Sequence, residues 1–278
     1  MKALFDKVSL QASKITTRSY STSFSMGTRF LGPSVRDAVY AIYGFVRFAD
    51  EIVDTFHDYD KQRLLDKFRN DTYEAIEDGI SLNPILNSFQ HAVRENGIER
   101  ELIDTFLESM EMDLNKKEYS RKGYEQYILG SAEVVGLMCL RVFVQGDDAL
   151  YKKLQYPAMR LGAAFQKINF LRDLKADYAE MGRTYFPGLD MATFNDEEKK
   201  RIEAEIEADF AEGYAGILQL PKNSRFGVYL AYLYFHQLLR KIQRVEAVDL
   251  MKSRIRIPDQ KKYALFAESY VRHNLNLL

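Results

Sequence analysis

Apolar side chains recur along most of this chain at intervals of three and four residues, the repeat of an amphipathic α-helix. Short polar stretches with glycine, proline or a capping residue separate these segments. The pattern predicts about ten helices and no strand, so the fold class is all-α. The helices are expected at 1–18, 34–56, 58–79, 83–97, 99–117, 123–145, 148–177 (with a break near Pro157), 195–220, 225–248 and 259–274.

Some local signals place the ends and faces of these helices. The Ser/Thr-rich segment 18–33 suits a turn or a helix entry, and Ser34 is expected to cap the helix that follows. Helix 123–145 is strongly apolar and carries Gly130 and Gly136, so it is slim enough for close packing or for a cavity wall. Helix 195–220 opens with six charged residues and is predicted to be solvated.

Composition narrows the classes of protein to consider. The 278 residues are 46% hydrophobic and 28% charged, as in soluble globular proteins, and are predicted to form one domain, 1–278. The net charge of −1 argues against a nucleic-acid partner. The one cysteine, Cys139, excludes an intramolecular disulfide and fits a cytoplasmic protein. Neither a signal peptide nor a membrane-spanning helix is expected.

Two helices concentrate polar groups on a narrow edge. On the helix around 166–177, Gln166, Asn169, Asp173 and Asp177 fall within an arc of about 80°, here called the second acidic edge. Large apolar residues flank it, and Arg172 and Lys175 are expected to project elsewhere. On helix 34–56, Tyr43, Arg47, Asp50 and Asp54 fall within about 60° and form the first acidic edge.

A single pair of carboxylates four residues apart on a helix is usually a solvated face, and Arg47 could neutralise Asp50 by ordinary helical pairing. Two such pairs on different helices suggest acidic faces that look into one space. Carboxylate and amide oxygens suit Mg²⁺ (or, as an alternative, Mn²⁺), which binds through a few carboxylates plus substrate phosphates. The four histidines lack the spacing of zinc ligands. The implied ligand is a diphosphate, with basic groups to neutralise it at Arg47, Arg183, Arg254 and Arg256.

The ordered set of motifs resembles the squalene/phytoene synthase family. Residues 47–54 (RFADEIVD) and 166–177 (QKINFLRDLKAD) resemble its two aspartate-rich motifs, and 182–187 (GRTYFP) the sequence after the second. Residues 21–24 (STSF), 110–114 (MEMDL) and 254–256 (RIR) resemble further family blocks, in the expected order over about 18–265.

The resemblance implies a single-domain isoprenoid-synthase-type helical bundle around a central cavity. It implies Mg-dependent head-to-head condensation of two prenyl diphosphates, through a cyclopropyl diphosphate, to a hydrocarbon. The implied catalytic residues are Asp50, Asp54, Asp173, Asp177 and Arg47. The implied metal ligands are Asp50, Asp54, Asn169, Asp173 and Asp177. The implied substrate-binding residues are Ser21, Ser23, Tyr43, Arg47, Gln166, Asn169, Arg183 and Tyr185.

Some positions depart from the family pattern. Leu129 and Glu133 stand where relatives usually carry an aromatic residue and a glycine, which affects any role of nearby Tyr127, and a buried Glu133 would need a partner. Tyr20 stands where some relatives carry histidine.

The resemblance leaves the exact activity open. The first expectation is a bacterial phytoene synthase-like condensation of two geranylgeranyl diphosphates in carotenoid biosynthesis. The alternative is a dehydrosqualene or squalene synthase that uses farnesyl diphosphate, with NADPH only in the squalene case. A non-catalytic scaffold of the same family, and a head-to-tail prenyltransferase or terpene cyclase, are the rivals from other classes. A hydrocarbon product makes peripheral membrane contact plausible for its release, at the cytoplasmic face.

Overall fold

The computed structural model describes residues 1–115, 119–182, 184–191, 193–252 and 255–257. Helices dominate them, and no strand is found within these ranges, so the all-α prediction is confirmed. The α-helices are α1 (Lys2–Tyr20), α2 (Thr22–Arg29), α3 (Pro33–Asp54), α4 (Lys61–Asp78), α5 (Pro84–Asn96), α6 (Arg100–Asn115), α7 (Arg121–Ile128), α8 (Val134–Val144), α9 (Asp148–Met181), α10 (Asp196–Ile217), α11 (Lys222–Ile242) and α12 (Ala247–Leu250).

Several predicted helix ends are set by side-chain caps. Asn83 accepts a hydrogen bond from the Ile85 amide and starts α5 directly before Pro84, as predicted. Asn195 caps α10 in the same way, through the Glu197 and Glu198 amides. In the Ser/Thr-rich segment, Ser21 separates α1 from α2 and caps α2 at the Phe24 amide.

A predicted helix cap and a predicted break within a helix are wrong. Helix α3 begins at Pro33 after Gly32, two residues earlier than a Ser34 cap requires, because proline is well suited to the first helical position. Helix α9 runs unbroken through Pro157 for 34 residues. The missing hydrogen bond is tolerated because Pro157 packs closely on α10, where a Cβ on Gly216 would lie 2.3 Å from the Pro157 Cβ.

The predicted helix 123–145 is three pieces rather than one. A π-helical turn, Leu129–Glu133, joins α7 to α8 and widens the helix for one turn. The stretch Arg121–Val144 has the length and composition of a membrane-spanning helix, although the sequence has no uninterrupted apolar run of that length. Because 67% of the most apolar 18 residues of this stretch are buried, the stretch also fits the core helix of a globular protein.

The packing sets the frame for the two acidic edges. Helices α3 and α9 both pack on α8, α9 also packs along α10, and α2 packs on α11. One apolar cluster runs from α3 to α9 around Phe45, Phe89 and Phe106. A second joins the later helices around Ile168 and Phe210. One domain over 1–278 stays a prediction, and the helix predicted at 259–274 lies outside the described residues.

Candidate active site

The first acidic edge is already organised by arginine. Arg47 donates from Nη1 to the Asp50 carboxylate at 2.6 Å, as helical spacing predicted, and its Nη2 contacts the buried Glu51. The Tyr20 ring lies over the guanidinium, 4.3 Å from ring centroid to Cζ. The Arg47 Nε is buried without a hydrogen-bond partner among the described residues, so both carboxylates are bound through the terminal nitrogens of the guanidinium. Glu51 and Tyr20 are contributors that the motif alone did not assign.

Helix α2 brings its hydroxyls beside this edge. The Phe24 ring stacks on Tyr43 with centroids 4.7 Å apart, and Ser21 at the α2 cap hydrogen-bonds the Tyr43 hydroxyl. Burial raises the pKa of Tyr43, opposed by the Arg47 charge, so the phenol stays protonated at neutral pH. Ser23 is half-buried one residue before Phe24. Ser21, Tyr43 and Arg47 therefore form one cluster.

The second acidic edge lies on α9 with all four of its side chains half-buried. Arg172 was expected to project elsewhere, but its Nε donates to the Asp173 carboxylate at 3.0 Å and its Nη2 at 2.5 Å. The guanidinium meets the carboxylate of the next residue through two parallel bonds, a geometry that arginine and a carboxylate favour. Each acidic edge thus carries an arginine on one of its aspartates.

A cavity of about 240 Å³ opens beside these elements. Gln166 of the second edge lines it, together with Phe24 and Thr28 of α2, so one amide group of α9 and the α2 segment share a single space. The rest of the wall is mainly apolar or small and includes Val39, Ser131, Val135, Gly136, Cys139, Leu140, Phe143, Leu154, Leu161 and Gly162. The slim apolar helix region thus forms a cavity wall, as predicted.

The cysteine on the cavity wall is not an activated nucleophile. Burial raises the pKa of the Cys139 thiol to about 12, which keeps it neutral and excludes a thiolate nucleophile at physiological pH. Gly162 brings α9 against the π-helical turn, where an added Cβ would lie 2.6 Å from the Ala132 carbonyl oxygen. The wall can therefore shield a reactive apolar group from water, while the polar groups stay on the two edges.

Glu133 has the partner that its burial demands. Arg160 of α9 contacts its carboxylate, and another Arg160 nitrogen donates to Asp209 of α10 at 3.2 Å. Lys167, 4% exposed, donates to Asp209 at 2.7 Å and also contacts Glu205. The start of α10 was predicted to be solvated, but Lys199 and Glu203 are buried as an ion pair, because pairing offsets the cost of burying either charge alone.

A second buried network collects three tyrosines on one carboxylate. The Tyr127 and Tyr119 hydroxyls donate to Asp113 at 2.6 and 2.9 Å, and the Tyr185 hydroxyl at 3.4 Å. Tyr185 is 6% exposed and stacks on Phe170, so its predicted contact with diphosphate stays a prediction. Burial and the Asp113 charge raise the pKa of Tyr127, which holds its phenol protonated.

The oxygen-bearing side chains of the two acidic edges suit a divalent cation that keeps part of its water shell. Within the described ranges, no three His, Cys, Asp or Glu side chains converge as a ready-made metal site. Magnesium usually keeps several waters and takes one or two carboxylates plus substrate phosphates, rather than an all-protein cage. The half-buried carboxylate and amide oxygens of the edges on α3 and α9 fit that mode. Arg183 and Arg254 lie outside the described residues, and Arg256 is exposed.

Comparison with solved structures supports the fold. A crystal structure of a dehydrosqualene synthase in complex with a ligand matches with TM-score 0.82 and 20% identity, over 97% of this chain and 98% of that one. Squalene synthase HpnC from Alicyclobacillus acidocaldarius matches with TM-score 0.74 and 22% identity, over 86% of this chain and 94% of that one. The isoprenoid-synthase type of bundle is therefore confirmed.

Sequence comparison supplies the family. Phytoene synthase from Arthrospira platensis is 27% identical over 272 residues, covering 88% of this chain and 87% of that protein. Phytoene synthase 1, chloroplastic, from Solanum lycopersicum is 27% identical over 275 residues and 91% of this chain, which spans 65% of the length of that relative. The squalene/phytoene synthase family model matches residues 17–260. The chain belongs to the squalene/phytoene synthase family, whose members transfer prenyl groups.

Proposed function

We propose that this prenyltransferase condenses two molecules of geranylgeranyl diphosphate head to head to phytoene, in carotenoid biosynthesis. The observation that carries the proposal is an apolar cavity whose wall includes Gln166 of the second acidic edge and Phe24, which stacks on Tyr43 of the first edge. Relatives named phytoene synthase that cover most of this chain favour the longer substrate.

In the proposed reaction, the carbon–oxygen bond of one diphosphate breaks and the leaving group keeps the electron pair. The allylic cation alkylates a double bond of the second molecule, and loss of a proton gives the cyclopropyl diphosphate. A second ionisation, rearrangement and loss of a proton give the hydrocarbon. The chain's contribution is electrostatic and steric: Arg47 neutralises leaving charge, and the apolar wall around Val135 and Phe143 excludes water from the cation.

Asp50, Asp54, Asn169, Asp173 and Asp177 would hold Mg²⁺, or Mn²⁺ as an alternative. Bound there, the metal supplies positive charge that stabilises the departing diphosphate. The predicted diphosphate contacts at Ser21, Ser23, Tyr43, Gln166, Asn169, Arg183 and Tyr185 belong to the same proposal. Cytoplasmic placement with peripheral membrane contact is also part of it, because the product is insoluble in water.

The test is product analysis. Purified protein is incubated with Mg²⁺ and labelled geranylgeranyl or farnesyl diphosphate, with and without NADPH, and the hydrocarbon is identified. We expect a C40 hydrocarbon that needs no NADPH. A C30 product alone contradicts the proposal, while a linear prenyl diphosphate or a cyclic terpene indicates a different reaction class.

The second candidate is condensation of two farnesyl diphosphates to dehydrosqualene, or to squalene if NADPH supplies a hydride. The solved dehydrosqualene synthase and squalene synthase HpnC that share this fold are the observation that favours the shorter substrate. Asp50→Ala and Asp173→Ala test both candidates and the non-catalytic alternative together. Loss of product in each variant supports catalysis at these edges, and unchanged turnover contradicts it.

A further inference from the structure

Helix α1 turns polar side chains toward the protein and apolar side chains toward solvent. Its buried side chains are all polar, at Ser9, Ser13, Thr16 and Thr17. Leu4, Val8 and Ile15 are instead 61%, 54% and 62% exposed and fall within an arc of about 40° on the opposite side. A helix on the surface of a globular domain normally turns its apolar stripe inward. These three residues are called the outer α1 face.

Hydrogen bonds fix α1 in this orientation. The Ser13 hydroxyl meets Ser88 of α5 at 2.6 Å, and the Asn87 amide donates to Ser9 at 3.0 Å and to Asp6 at 3.1 Å. A Cβ on Gly44 of α3 would lie 2.9 Å from the Ser13 hydroxyl, so α1 sits directly against that helix. Rotation of α1 to bury its outer face would break this set of contacts, so the apolar face belongs on the outside.

A loop held close to α1 also exposes apolar side chains. The loop before α5 is tied to the same asparagine, because the Ser81 amide donates to the Asn87 side chain at 3.2 Å. That loop exposes Leu82 by 92% and Ile80 by 44%. Single exposed apolar residues are ordinary, whereas several on one helix face and its neighbouring loop indicate a surface with an occupant.

Charge identifies the occupant. Helix α1 carries Lys2, Lys7, Lys14 and Arg18 against one acid, Asp6, in a chain whose net charge is −1. Exposed Lys7 and Arg18 border the outer α1 face on the helical wheel, while Lys14 is paired with Asp37. An apolar stripe with a basic border is typical of helices that lie in a bilayer interface with anionic lipids. A two-fold contact between copies would instead bring the two basic borders together.

We infer that the outer α1 face is the surface of the peripheral membrane contact proposed above and docks this protein on an anionic bilayer. The inference rests on α1 and its neighbouring loop and is tested without substrate, so its failure is separate from failure of the proposed condensation. Peripheral contact through this face would leave the rest of the helical bundle in water.

The experiment is co-sedimentation of the full chain with phosphatidylcholine vesicles, with and without phosphatidylglycerol. We expect binding to the anionic vesicles. The Leu4→Ser/Val8→Ser/Ile15→Ser variant should bind at least about tenfold more weakly, because it removes three apolar side chains from the contact. The matched control is Tyr156→Ser/Val248→Ser, which replaces residues 58% and 56% exposed elsewhere and should bind like the parent.

A second variant keeps the test independent of folding. Lys7→Gln/Arg18→Gln leaves the apolar face intact and should weaken binding to anionic vesicles by about fivefold per residue. Thermal melts by circular dichroism check that each variant folds. No vesicle binding by the parent chain, or equal binding by the triple variant and its control, overturns the inference. A dimer in light scattering that the triple variant converts to a monomer overturns it in favour of a second copy.

Discussion

At the scale of single residues, the first acidic edge depends on how Arg47 is held. Its guanidinium meets Asp50 and Glu51 and lies under the Tyr20 ring, so its charge is positioned before any ligand arrives. The planar, forked guanidinium of arginine suits this combination of two carboxylates and an aromatic face better than the ammonium group of lysine does. Tyr20 stands where some relatives carry histidine, so its ring contact with Arg47 differs from the contact that a histidine would make.

We predict that Arg47→Lys lowers kcat/KM by about 10- to 100-fold, the cost of losing one or two charge-assisted hydrogen bonds in the transition state. The control is Arg63→Lys on the exposed side of α4, which should leave turnover unchanged. Steady-state release of labelled diphosphate measures both variants. An unchanged kcat/KM in Arg47→Lys would show that a positive charge suffices and that the geometry of the guanidinium does not matter.

Glu133 predicts a pH dependence of stability. Burial raises its pKa from the ordinary 4.5, and Arg160 opposes that shift without cancelling it. The folded chain therefore binds this proton more tightly than the unfolded chain. The Glu133 contribution to stability is complete below the unfolded pKa and is lost as the pH rises through the folded pKa.

Urea unfolding between about pH 4 and 7 tests this sign. The free energy of unfolding of the parent should fall relative to Glu133→Gln as the pH rises, because the glutamine does not titrate. Glu125→Gln, at the exposed pair with Arg121, is the matched control and should follow the parent. A parent that gains stability relative to Glu133→Gln across this range contradicts the assignment.

At the scale of elements, α9 is placed by a close backbone approach and a buried ion pair rather than by its polar edge. Gly162 allows it to approach the π-helical turn, and Lys167 fastens it to α10 through Asp209. These contacts fix the rotation of α9 about its axis. That rotation puts Gln166 on the cavity wall and the apolar residue Ile168 in the core.

Gly162→Ala should destabilise the fold by about 1–3 kcal/mol, because the new methyl group would meet the Ala132 carbonyl, which is backbone and cannot move aside cheaply. Gly123→Ala in α7 is the control, since its nearest new contact is at 3.4 Å, an ordinary distance. Improved helix propensity should make that control neutral or slightly stabilising. Thermal melts compare the two, and equal destabilisation would show that close approach is not the cause.

At the scale of the whole molecule, the two acidic edges lie on helices far apart in the chain that pack on the same helix, α8. A ligand that contacts both edges would link the early helices to the later ones. Binding of such a ligand to the folded state alone raises the unfolding temperature by mass action.

We predict that Mg²⁺ together with inorganic diphosphate raises the melting temperature by roughly 5–10 °C at saturating ligand, and by more than either alone. Asp50→Ala and Asp173→Ala should each reduce this shift, since each removes a ligand from one edge. Asp66→Ala on the surface of α4 is the matched control and should keep the full shift. A shift retained in Asp50→Ala or Asp173→Ala contradicts the proposed metal ligands.

The sequence by itself determined the helices, the two acidic edges and the order of motifs, because helical periodicity and side-chain spacing are local properties. It also determined that a buried Glu133 needs a partner. The tertiary structure decided that the partner is Arg160, that Arg172 turns to Asp173, and that α9 continues through Pro157. It also decided that α1 turns its apolar side outward. These outcomes depend on neighbours distant in the chain, whose packing outweighs local preference.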